Sequence, residues 1–277
     1  MYISEKIKNL IPSGTVAFTA LIQELRDEGR DVIDLAVGEP DFAVDPPVMD
    51  ATRQALDNGY TRYGPVAGLP ALRDKLSTEF EGYGSQNIIV TNGAKQGLFE
   101  LFQVICDAGR EVIIPTPCWV SFEHQVKLAG GVPVMVPTVR HQLNVDAIAE
   151  AVSDRTVAIL VNSPNNPTGA VYASDSLRRI ADICRRNDLW LISDEAYAAF
   201  VYGEKPFFSP FAFPDIRPRL IVVRSFSKTF AMTGFRVGYV AAPEEMIARL
   251  TTIQGHLTGN VCSFAQHGAL SAAEIPQ

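Results

Sequence analysis

Five short aliphatic runs mark out the chain, and each ends abruptly in polar or turn-forming residues. Ile88–Val90 is followed by Thr-Asn-Gly-Ala-Lys, Val112–Ile114 by Pro-Thr-Pro, and Val157–Val161 by Asn-Ser-Pro-Asn-Asn-Pro-Thr-Gly. Leu189–Ile192 leads into Ser-Asp-Glu-Ala-Tyr, and Leu220–Val223 into Arg-Ser-Phe-Ser-Lys. Runs that are apolar throughout, rather than alternating, are the mark of strands covered on both faces. Between them the period changes. Leu98, Leu101, Phe102 and Ile105 fall on one helical face, as do Leu177, Ile180, Ala181 and Cys184, the latter in an Arg-rich stretch that Ser174 or Asp175 is expected to cap.

Strands alternating with helices predict an α/β fold, with a mostly parallel central sheet, right-handed crossovers and helices flanking it. Ligands of such sheets bind beyond the carboxyl ends of the strands. The polar cluster after each aliphatic run lies there by construction, so five loops distant in sequence are expected to converge on one site. Ahead of them, helical patterns over 15–29, 46–58 and 69–80 are separated by the turn-rich Gly38-Glu39-Pro40-Asp41 and Tyr63-Gly64-Pro65.

Composition narrows the function classes. A chain of 277 residues with 47% hydrophobic content can bury a substantial core. Its formal charge of −7 leaves no basic surface for a nucleic-acid backbone or an anionic membrane, and no basic helix-turn-helix region precedes the sheet. Pro12, Ser13, Gly14 and Thr15 interrupt the only candidate for a signal core. The uncharged stretch 156–174 holds three asparagines and two prolines, which a membrane span does not tolerate. Cys106, Cys118, Cys184 and Cys262 show neither CxxC spacing nor a zinc pattern with the histidines, so no metal is expected; free thiols fit a reducing cytoplasm.

Lys228 and Arg236 carry the clearest chemical signal. They lie eight positions apart on a glycine-punctuated segment after the run Leu220–Val223. An amine beside a fixed guanidinium and away from bulk water has its charged form disfavoured, which makes Lys228 a candidate nucleophile, and Arg236 is a natural phosphate clamp. Taken alone, the segment reads more readily as a polar connection.

Four segments in order, Leu-Ala-Val-Gly-Glu-Pro-Asp-Phe (35–42), Asn-Ser-Pro-Asn-Asn-Pro-Thr-Gly (162–169), Ser-Asp-Glu-Ala-Tyr (193–197) and the Lys228 segment, remove that ambiguity. Together they resemble the class I/II aminotransferases, pyridoxal 5′-phosphate (PLP) enzymes of fold type I, and the pattern is most similar to the bacterial aspartate aminotransferase-like group. The resemblance runs from about residue 1 to the end of the chain. It implies that Lys228 holds the cofactor covalently and moves the substrate α-proton, that Asp194 keeps the pyridine nitrogen protonated, and that Asn166 and Tyr197 hydrogen-bond the cofactor's phenolic oxygen. It places Trp119 against the pyridine ring. The backbone of Gly93, Ala94 and Lys95 would receive the phosphate, with Ser225, Ser227 and Arg236 closing the other side. Tyr63 would reach the phosphate of a neighbouring subunit in a homodimer, and Gly38 would lie near the substrate carboxylate. Ser13, Thr15 and Lys95 match positions that contact a distal carboxylate, although Ser13 and Thr15 read equally as a helix cap. Trp119 and Asn166 would also face the substrate.

The implied activity is transamination between an amino acid, aspartate or another dicarboxylic one, and a 2-oxo acid. The alternatives are a PLP-dependent carbon–sulfur lyase of the same fold and a PLP-binding module with little turnover. The same resemblance divides the chain into an N-terminal segment over 1–45, which begins the small-domain and interface region, and a PLP-binding large domain over 46–277. The C-terminal small domain, with its arginine for the substrate α-carboxylate, is expected to be absent or truncated.

Overall fold

The computed structural model describes residues 3–8, 14–34, 38–203 and 207–275. In chain order the elements are α1 (Glu5–Lys8), α2 (Gly14–Asp27), α3 (Pro46–Asp57), α4 (Pro70–Ser77), β1 (Ile88–Thr91), α5 (Ala94–Ile105), β2 (Glu111–Thr116), α6 (Val120–Leu128) and β3 (Val132–Pro137). There follow α7 (Val145–Glu150), β4 (Thr156–Asn162), α8 (Ser174–Arg186), β5 (Trp190–Asp194), β6 (Leu220–Ser225), α9 (Phe226–Thr229), β7 (Gly238–Ala241), α10 (Glu244–Leu257) and α11 (Ser263–Glu274).

All seven strands join one sheet in the order β1-β7-β6-β5-β4-β2-β3. Only β7 runs against its neighbours, and β1, which pairs antiparallel with β7, is therefore parallel to β6. The carboxyl ends of the six parallel strands consequently lie along one edge of the sheet. Side chains alternate between two apolar layers. Ile113, Ile159, Leu191 and Val222 pack with Leu177, Ile180 and Cys184 of α8. Their neighbours Val112, Ala158, Ile192 and Ile221 pack with Leu98, Leu101 and Phe102 of α5 and Leu250 of α10. Burial on both faces is the reason those strands read as continuous aliphatic runs.

The aliphatic runs and both helical faces fall on the elements expected of them, and the helices over 15–29 and 69–80 end two or three residues early, at Asp27 and Ser77. Gly29 turns the chain at φ 77°, a left-handed position that closes helices readily. The expected cap of α8 is not made: Ser174 and Asp175 already lie inside the helix, its N-cap is Ala173, and no side chain caps it. Asp175 instead places a carboxylate in the first turn, favourable to the helix dipole. The four cysteines are free thiols. Among the described residues no helix is long and apolar enough to cross a membrane, and no cluster of side chains is suited to a metal.

Candidate active site

The turn from β1 into α5 forms the floor of the site. Gly93 adopts φ 75°, and Thr91 Oγ1 donates to its carbonyl at 3.0 Å. A Cβ on Gly93 would come 2.6 Å from Arg236 Nη2, so the guanidinium lies directly against the turn. Gly238 serves the same close approach from β7, since a Cβ there would stand 2.5 Å from the Ala94 nitrogen. Arg236 is itself left-handed at φ 58°, a costly conformation for a non-glycine residue, and donates from Nη1 to Thr233 O at 2.8 Å. The amino end of the 12-residue α5 and this guanidinium together make an anion cup.

Lys228 lies on the single turn α9, which Ser225 caps by accepting from Ser227 N at 3.1 Å. Its Nζ donates to Gly38 O. Burial lowers its pKa; Glu39 opposes that shift and Arg236 adds to it. On the adjoining strand, Asp194 ends β5 only 4% exposed. Burial pushes its carboxyl up to about 7, against the pull of the hydrogen bond that Oδ1 accepts from Ala196 N at 3.0 Å. Among the described residues no cation is paired with this carboxyl.

Asn166 and Tyr197 meet across the cavity, with Nδ2 donating to the phenol oxygen at 3.4 Å. Asn162 holds that corner: its Oδ1 accepts from Asn166 N at 2.8 Å and its Nδ2 donates to Asp194 O at 3.1 Å. Burial raises the Tyr197 phenol, the Asp194 charge adds to the shift, and Asn166 opposes it. Lys95 holds its ammonium 4.9 Å from the centre of the Trp119 ring, and burial, then Arg236, lowers its pKa. Trp119 is in turn fixed edge-on by Phe122 at 5.4 Å.

A cavity of about 690 Å³ gathers all five loops, bringing together Lys228, Asp194, Asn166, Tyr197, Trp119 and Arg236 with Gly38, Ala94, Lys95, Ser225 and Ser227. Gly93 lies just behind, against Arg236. Tyr63 stays outside, 98% exposed. Ser13 lies outside the described residues, and Thr15 is placed only as the second residue of α2. Sequence reasoning missed Glu39 and Thr233, which line the cavity and are joined by a 2.6 Å hydrogen bond. Both sit inside segments that carry the family resemblance, so their placement, not their presence, was hidden. Asn162 was likewise legible only as the first residue of its loop.

Residues 30–277 match the family model for aminotransferase class I and II. The chain belongs to this family. It is 42% identical to a probable aspartate/prephenate aminotransferase of Aquifex aeolicus, an alignment covering 99% of this chain and 72% of that protein. It is 38% identical to an aspartate aminotransferase of Geobacillus stearothermophilus, over 100% of this chain and 73% of the relative. The fold superposes on the aspartate aminotransferase of Thermus thermophilus solved with maleate at a TM-score of 0.95, with 39% identity, covering 99% of this chain and 73% of that one. The chain is thus an aminotransferase-family enzyme dependent on PLP.

The cavity suits that cofactor on its own chemistry. It offers a half-buried amine, a cup for a phosphate, and a buried carboxyl that gains from a cation such as a protonated pyridine. Gly93→Ala tests the cup. Strain at φ 75° and the displaced guanidinium are expected to weaken PLP affinity by about 10–100-fold, or ~1–3 kcal/mol, in a spectroscopic titration. Unchanged affinity would mean that the phosphate binds elsewhere.

Proposed function

We propose that this aminotransferase takes a dicarboxylic amino acid, aspartate or glutamate, as donor and a 2-oxo acid as acceptor. The observation carrying this substrate choice is Lys95, whose half-buried ammonium lies in the cavity over Trp119 with no carboxylate paired to it among the described contacts. When bound, PLP supplies the electron sink that makes an amino acid's α-proton removable. Lys228, with its charged form disfavoured, would accept that proton at Nζ and give it back. Asp194 would hold the proton of the ring nitrogen, and the Asn166–Tyr197 pair would donate to the phenolic oxygen. Trp119 would cover the ring. Gly93, Ala94, Lys95, Ser225, Ser227 and Arg236 would hold the phosphate, and Gly38 would lie near the substrate carboxylate.

Residues 46–277 act in this reading as the PLP-binding large domain, supported by the sheet and its helices falling wholly within them. Residues 1–45 act as the N-terminal segment that begins the interface region. We further propose a homodimer in the cytoplasm. The exposure of Tyr63 beside Tyr60, itself 47% exposed, supports a partner surface at this edge, and four free thiols suit a reducing compartment. Loss of full cofactor affinity on dilution to monomer is the expected result.

Product analysis tests the reaction. Aspartate with 2-oxoglutarate is expected to yield oxaloacetate and glutamate, and cystathionine no pyruvate or ammonia; the reverse result would make the chain a carbon–sulfur lyase. Lys95→Ala tests the substrate. Losing a charge-assisted hydrogen bond costs about 1.5–3 kcal/mol, so kcat/KM for aspartate should fall by about 10–100-fold while that for alanine changes far less. Equal losses for both donors would remove Lys95 from the distal-carboxylate role.

A further inference from the structure

Behind the active site, on the opposite face of β5 and β6, lies a second polar centre that the proposed chemistry does not use. Asp194 and Glu195 are consecutive in extended chain and so point to opposite faces. Glu195 is 2% exposed and its carboxylate is fully occupied. Oε1 accepts from Ser193 Oγ at 3.0 Å and Ser209 Oγ at 2.6 Å, while Oε2 accepts from Arg224 Nε at 2.9 Å and pairs with Arg224 Nη2 at 2.9 Å. The remaining guanidinium nitrogen, Nη1, donates to Glu79 Oε2 at 2.5 Å, and Tyr239 OH donates to the same oxygen at 3.2 Å.

The placement of this pair in the sheet gives it meaning. The last registered partners of β5 and β6 are Asp194 and Val223, and Glu195 N donates to Val223 O at 2.8 Å. Glu195 and Arg224 are the next residues on each strand, so their ion pair extends the ladder one step beyond its last register. On the other side Arg224 is registered with Tyr239 of β7. One row of side chains therefore ties the ends of three strands together. Those ends carry Asp194, Ser225 with the Lys228 turn, and Gly238 under the phosphate cup. Ser225 borders both the active-site cavity and a cavity of about 200 Å³ on the Glu195 side.

We propose that Glu195 and Arg224 are positioning residues for the cofactor site, fixing the separation between Asp194 and Lys228 through a chelated ion pair on the reverse face of the sheet. The inference rests on the PLP reading above. A buried ion pair contributes little net stability over an apolar pair of similar size. Its distinguishing contribution is geometry, because a planar guanidinium bonded to two carboxylates admits one arrangement of its strands.

The test uses two variants, neither of which leaves a buried charge alone. Arg224→Lys keeps the charge balance but lets a single ammonium replace the fork. The double variant Glu195→Gln with Arg224→Met removes both charges, while Gln keeps the length of Glu195 and an acceptor for Ser193 and Ser209. Three readouts are taken: thermal unfolding of the cofactor-free protein, PLP affinity by spectroscopic titration, and the pH at which the visible band of lysine-bound PLP titrates. The expected result is unfolding close to wild type, PLP affinity weaker by about tenfold, and a band midpoint moved by about half a pH unit or more. Should the double variant precipitate, Arg224→Lys gives the same reading alone. Folded variants with wild-type affinity and midpoint would overturn the proposal and leave the pair a purely structural contact. Failure of the cofactor reading itself looks different: the wild-type protein would develop no visible band with PLP and fix none on borohydride reduction.

Discussion

Lys228→Ala is expected to lower kcat/KM for aspartate with 2-oxoglutarate by about 10⁴-fold or more and to abolish the visible band that wild-type protein develops with PLP. The size follows from what the amine does. A positioned general acid–base group contributes about 10²–10⁴-fold, and in the proposed reading Lys228 is in addition the covalent anchor of the cofactor. Its surroundings favour the neutral form: burial is the largest influence, and Arg236 reinforces it against the opposing charge of Glu39. Glu39 therefore sets a second expectation, since removing that carboxylate should lower the lysine pKa further. Borohydride reduction of wild-type protein with PLP, followed by peptide mapping, locates the anchor. Activity of Lys228→Ala within about 100-fold of wild type would move proton transfer to another group. Among the described lining residues, Lys95 is the other amine and would then be the acceptor to test.

Asp194, Asn166, Tyr197 and Lys228, four of the site residues that could be read from the sequence, share one property: each lies in the polar loop that follows an aliphatic run. Asp194 closes β5, Asn166 and Tyr197 lie four and three residues past the ends of β4 and β5, and Lys228 sits three past β6. Once a parallel sheet is inferred, its geometry delivers these loops to one edge without further information. The strands that escaped notice are those whose sequence departs from this form. β3 is an edge strand with Val132 and Met135 exposed and prolines at 133 and 137, tolerable only where half of the backbone lacks a partner. β7 is four residues long, begins with a glycine and directly follows the Arg236 turn, so its strand character is masked by the chemistry beside it.

Long-range pairing was the other blind spot. Thr233 and Glu39 bond across 194 positions, and Arg224 reaches Glu79 across 145. Alternation along an extended chain was enough to turn Glu195 away from Asp194 and onto the face of Ser193, but nothing in its local sequence names Arg224 and Ser209 as its other partners. Ser174 and Asp175 show the converse. Both are good cap residues by type, yet the helix begins one position too early for Ser174 and two for Asp175 to serve, because Ala173 and not a polar residue occupies the boundary.

Asp194→Asn is expected to act in opposite directions on the cofactor-free and the cofactor-loaded protein. Without PLP, burial raises this carboxyl from 3.8 to about 7, so the folded state resists its ionisation. Below pH 3.8 the group is protonated in both folded and unfolded chains and costs nothing. As the pH rises the unfolded chain ionises first, and stability is lost until the folded group also ionises near 7. Across that window the loss is on the order of 4 kcal/mol, at about 1.4 kcal/mol per unit of pKa difference. The amide introduced by Asp194→Asn never ionises, so the cofactor-free variant should unfold at a higher temperature than wild type at pH 8 and at a similar one near pH 4. With PLP bound the balance reverses. In the proposed reading the wild-type carboxylate would then face a protonated ring nitrogen, and breaking a buried charge pair costs about 3–5 kcal/mol, which corresponds to a fall of about 10²–10⁴-fold in the rate of α-proton removal. Thermal scans at the two pH values and single-turnover rates with aspartate measure the two halves separately. A cofactor-free variant no more stable than wild type at pH 8 would show that Asp194 is already compensated in the empty cavity. A half-reaction within a few-fold of wild type would take the ring nitrogen's proton away from Asp194.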